Sequence, residues 1–109
     1  MENLEKALSF ANYQFTLTKQ RKLLAEKFKE NTVLAFNGGL FQVTPEFIAG
    51  IKTTRTPYII DMNGNPIKVD DLDELILRAQ ETYEKAITTY GDEFTSLRTK
   101  RNVKAIVDL

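Results

Sequence analysis

Residues 70–100 read DDLDELILRAQETYEKAITTYGDEFTSLRTK, and the placement of their apolar side chains decides the fold. Leu72, Ile76, Ala79, Tyr83, Ala86, Tyr90, Phe94 and Leu97 recur at intervals of four, three, four, three, four, four and three. An α-helix turns once in about 3.6 residues, so these side chains share one stripe. A stripe this long predicts an amphipathic helix lying against another long helix, as in a coiled coil. Asp70 or Asp71 caps it, with Asp73 and Glu74 in the first turn, where the helix dipole favours acids. Gly91 is the weak position, costing about 1 kcal/mol relative to alanine. The stripe keeps register across Gly91, which predicts passage rather than a new helix capped by Asp92.

The partner helix is sought in residues 3–30. Leu4, Leu8, Ala11 and Phe15 form one stripe; Phe10, Tyr13, Leu17, Leu24 and Phe28 form a neighbouring one. Tyr13, Phe15 and Leu17 also alternate with polar residues, as a strand would. The helix is preferred because no Gly or Pro interrupts the segment and its end, KQRKLLAEKFKE, is rich in helix formers.

Between the helices the composition changes. TVLAF (32–36) and LFQVT (40–44) flank Asn37-Gly38-Gly39, a strong hairpin signal because a tight type I′ turn needs positive φ at two residues. Thr44-Pro45 reads as a helix entry, with FIAGI as the body of a short helix ending near Thr53. Residues 58–62 and 65–69 form a second hairpin about Asn63-Gly64, with Pro66 on an outer edge because it cannot donate to a ladder. The expected fold is therefore α+β and a single domain over residues 1–109. An antiparallel pair of long helices, about 3–30 and 70–100, brackets two β-hairpins and a short helix. Charge favours that orientation. Lys22, Lys27 and Lys29 would meet Asp70, Asp71, Asp73 and Glu74, while Arg98, Lys100, Arg101 and Lys104 would meet Glu2 and Glu5. Such exposed pairs contribute about 0–1 kcal/mol each, so apolar burial must hold the helices together.

Composition narrows the function. The chain has 109 residues, 42% of them hydrophobic, and 15 basic side chains balance 15 acidic ones. No overall field draws it to nucleic acid or an anionic membrane. It contains no cysteine and no histidine, which weighs against common zinc sites and against Ser-His-Asp or Cys-His catalysis. No apolar run approaches the roughly 18 residues of a membrane span, and MENLEK lacks the basic start of a secretory signal. A cytoplasmic location is the expectation.

No cofactor and no metal is expected. The acids at Asp70–Glu74 are explained by helix capping, and Asp61, Asn63 and Asn65 by a turn: a calcium loop would need its glycine two positions later and a glutamate where Leu72 stands. Candidate binding residues are the glycine turn with its following aromatic (Asn37, Gly38, Gly39, Phe41) and two basic groups. One group is Lys19, Arg21 and Lys22; the other is Arg98, Lys100 and Arg101. Basic groups at opposite ends of a helical hairpin would not make one groove for a phosphate backbone. No residue spacing argues for an enzyme. Because Leu4, Leu8, Phe10, Ala11, Tyr13, Phe15 and Leu17 occupy over half the circumference of the first helix, a homo-oligomer is expected. The leading expectation is a non-enzymatic interaction or assembly protein. Alternatives are a nucleic-acid-binding accessory protein and a small-ligand-sequestering protein with its site at an oligomer interface near 37–41.

The order helix, two hairpins, helix is similar to that of prefoldin subunits, an architectural likeness without a shared motif. The runs LAFNGGLFQVTPEFI (34–48), DMNGNPIKVDDLDELILRAQETYEKAITTY (61–90) and LRTKRNVKAIV (97–107) resemble small uncharacterised proteins of contractile-tailed bacteriophages and cyanophages. That resemblance spans residues 34 to about 107 and carries no site residues. It implies a phage protein acting in the host cytoplasm or the virion, in assembly or in interference with host processes.

Overall fold

In the computed structural model the backbone is described for residues 2–108 and the side-chain surroundings for residues 4–99. Seven elements follow one another: α1 (Glu2–Asn31), β1 (Val33–Phe36), β2 (Gly39–Gln42), α2 (Pro45–Thr53), β3 (Tyr58–Ile60), β4 (Pro66–Lys68) and α3 (Leu72–Asp108). Residues 2–31 are helical throughout, and α3 runs through Gly91 without a break. All eight stripe residues of α3 are buried or half-buried.

The two long helices pack antiparallel, but not end to end. Phe28 of α1 lies 4.9 Å, ring centre to ring centre, from Tyr90 and 6.1 Å edge-on from Tyr83. Arg21 stacks over Phe94 at 5.7 Å. The last turn of α1 therefore sits beside the middle of α3, and the first three turns of α3 project beyond it. Those turns are covered by the hairpins and α2, where the core forms. Leu75 and Ala79 pack there with Leu34, Phe41, Val43, Ile51, Ile59 and Val69, all buried. This offset corrects the expected charge pairing. Lys27 reaches Glu93 at 2.8 Å, the one ion pair among the described residues, and not the acids at 70–74. Asp71 caps α3 instead, its Oδ1 accepting the Glu74 N–H at 3.0 Å. Glu2, Lys100, Arg101 and Lys104, assigned to pairing at the far end, lie outside the residues with described side chains.

The first hairpin follows the sequence closely. Phe36 pairs with Gly39, leaving a two-residue turn with φ of +49° at Asn37 and +82° at Gly38. Thr32 fixes it to α1: its N–H donates to Phe28 O at 3.2 Å, its carbonyl accepts from Val43 N at 2.8 Å, and its buried hydroxyl donates to Lys29 O and accepts from Gln42 Nε2. Thr44 caps α2 through a 3.0 Å bond from Phe47 N–H to its hydroxyl, with Pro45 next. The second hairpin departs from expectation. Ile60 pairs with Pro66, so the connection is residues 61–65 and not a two-residue Asn63-Gly64 turn. The strands are shorter than the sequence suggests because Asp61, immediately after β3, takes over the turn's N–H groups.

The result is a rod. Its extents are 68 × 22 × 20 Å and its radius of gyration is 20.4 Å, where a compact chain of this length has about 13 Å.

Candidate functional surfaces

The helix α1 carries apolar side chains in two directions. Tyr13, Leu17, Leu24 and Phe28, with Arg21 among them, are buried or half-buried. Leu4, Leu8, Ala11 and Phe15 are exposed, at 64%, 56% and 72% for the three large residues. At about 100° per residue the centres of the two stripes stand roughly 150° apart, so the second points almost directly away from α3. By spacing Phe10 belongs with Tyr13, Leu17, Leu24 and Phe28, yet it is 64% exposed.

A second apolar surface crowns the head of the rod. Tyr58, Ile60, Met62 and Leu40 are exposed, on the face of the hairpins opposite Ile59 and Phe41. The two hairpins are joined there. Met62 N–H donates to Leu40 O at 2.8 Å, and Asn37 Nδ2 donates to Lys68 O at 3.3 Å. Asp61 is the organising side chain. Its carboxylate accepts the N–H groups of Asn65 at 2.9 Å, Asn63 at 3.0 Å and, from the other hairpin, Leu40 at 3.3 Å. The bond from Asn65 above all holds its pKa below the ordinary value, with those from Leu40 and Asn63 assisting and burial acting in opposition.

The glycine turn proposed from sequence as a recognition tip is built for packing. Phe41 is 1% exposed and stacks on Phe47 at 5.7 Å, so its side chain belongs to the core rather than to a binding tip. Gly39 is covered: a Cβ there would lie 2.6 Å from Ile67 Cγ1. The Asn37 amide is spent on Lys68, and only the Gly38 position faces open space.

The basic residues are placed differently from expectation. Because residue 21 faces residue 94, Arg98 stands level with the Lys19–Lys22 group rather than at the opposite end of the rod. Lys19, Lys22 and Arg98 are exposed, while Arg21 is half-buried on Phe94; Lys100 and Arg101 fall outside the described side chains. Beside them an open groove between the helices is lined by Gln20, Leu23, Leu24, Glu93, Ser96 and Leu97.

Among the described residues no cluster of acidic side chains converges as a metal site would, and no helix is long and apolar enough to cross a membrane. Sequence spacing found the outward stripe of α1 but not the joining role of Asp61, whose only signal was an Asp two residues before Asn-Gly. No protein-family model, curated protein or solved structure matches the chain.

Proposed function

We propose that this protein is a non-enzymatic assembly protein that associates with itself through the outward stripe of α1. The observation that carries this reading is the continuous exposed run Leu4, Leu8, Ala11 and Phe15, on the side of the helix that α3 leaves uncovered. Exposing three large apolar side chains on one stripe is costly in water, and burying each contributes about 1.5–3 kcal/mol. Surface area supports it. The chain exposes 8147 Å², against about 6,200 Å² for a compact monomer of its mass. A standard pair interface takes about 800 Å² from each partner and fits within that excess. A phage origin, with action in the host cytoplasm or the virion, accords with the resemblance of residues 34–107 and with an assembly role.

The test is the midpoint of thermal unfolding as a function of protein concentration. Self-association raises it with concentration by mass action. Leu8→Glu, placing a charge in the seam, removes that dependence while leaving the helical content of the monomer. A midpoint independent of concentration in the unaltered chain contradicts the proposal.

A second reading rests on the gathering of Lys19, Lys22 and Arg98 at one level of the rod. A nucleic-acid backbone following that belt would bind with an affinity that falls steeply with salt. A titration at two salt concentrations separates the readings, since apolar self-association lacks that slope.

A further inference from the structure

We infer that two copies of this chain join tail to tail, with their α1 helices antiparallel, so that the hairpin heads stand at opposite ends of a long particle. The inference rests on the self-association proposed above and adds its geometry. The outward stripe occupies residues 4–15, at the end of the rod remote from the head. Its intervals of four, three and four make a coiled-coil seam of about three turns, symmetric about a centre between residues 9 and 10. Run antiparallel about that centre, Leu4 meets Phe15 of the other copy and Leu8 meets Ala11. Each contact occurs twice, and the small Ala11 makes room for Leu8. All four stripe residues are then covered.

Charge chooses this direction over the parallel one. Glu5 and Lys19 are exposed, and each stands one residue C-terminal to a seam position on the same flank. Side chains on a helix lean toward its N-terminus. In the antiparallel pair, Glu5 of one copy and Lys19 of the other therefore lean toward each other, and symmetry makes the pair twice. In a parallel, in-register pair Glu5 meets no cation, and the continuation of the seam sets Lys22 against Lys22. The antiparallel pair sets the two Lys22 side chains far apart, on opposite sides of the centre.

Small-angle X-ray scattering on the unaltered full chain measures the geometry directly. Two 68 Å rods overlapping by roughly 25 Å give a maximum dimension of about 110 Å, where a parallel pair gives about 70 Å. Charge reversal supplies the second measurement. Glu5→Lys or Lys19→Glu alone weakens the dimer roughly tenfold, by turning two attractions into repulsions. Together they restore affinity to within about twofold. A dimer of about 70 Å, or a double reversal no tighter than the singles, overturns the antiparallel arrangement while leaving self-association standing. A monomer at every concentration overturns both.

Discussion

Two glycines in this chain do opposite work. Gly39 lies beneath Ile67, so Gly39→Ala forces the second hairpin off the first, and overpacking of this kind costs about 1–3 kcal/mol. Gly91 has open space around it inside α3; Gly91→Ala stabilises by about 1 kcal/mol and raises the melting temperature of a domain this size by roughly 4–8 °C. Thermal melts of the two variants check both signs. Asp61 gives the third residue-scale expectation. Its pKa is lowered in the folded chain, so its stabilising effect is present above the unfolded carboxylate value of about 4 and is lost as pH falls through the lower, folded value. Urea titrations from pH 6 to pH 2 will show Asp61→Asn losing less stability over that interval than the unaltered chain. Equal losses would assign the acid sensitivity to other carboxylates.

At the scale of elements, the seam of α3 was legible because eight side chains keep helical register across Gly91, and every one is buried or half-buried. The first hairpin was legible because Asn37-Gly38 is what a two-residue turn with positive φ requires. The offset of the helices was not. Spacing fixes which face of α3 is apolar but not which turn meets which partner, and the choice falls to the head. Leu75, off the predicted stripe and fully buried, belongs to the buried cluster that Val43 and Val69 of the head also form. Leu75→Ala should therefore cost about 3–5 kcal/mol, as a fully enclosed leucine does. Phe28→Ala, which removes the ring between Tyr83 and Tyr90, should cost about 3 kcal/mol and chiefly loosen the helix pair. Hydrogen exchange distinguishes them: Phe28→Ala lowers protection in α1 and the middle of α3 more than in the hairpins. The second hairpin's turn escaped the sequence because one carboxylate, that of Asp61, gathers the N–H groups of Asn63 and Asn65 and also bonds across to Leu40.

At the scale of the molecule, the chain is a head with a sealed core and a shaft two helices wide. The head satisfies its own apolar residues on one side. The shaft does not, since α1 is apolar toward α3 and again almost directly away from it. The outward stripe was visible in the sequence as an excess of apolar positions, although spacing alone left open which of two stripes would face α3. Sedimentation equilibrium over micromolar concentrations tests the consequence most directly. The account predicts a mass rising from 12.5 kDa toward about twice that value, and a Phe15→Glu variant held at the monomer mass. A constant 12.5 kDa for the unaltered chain at every concentration would contradict it.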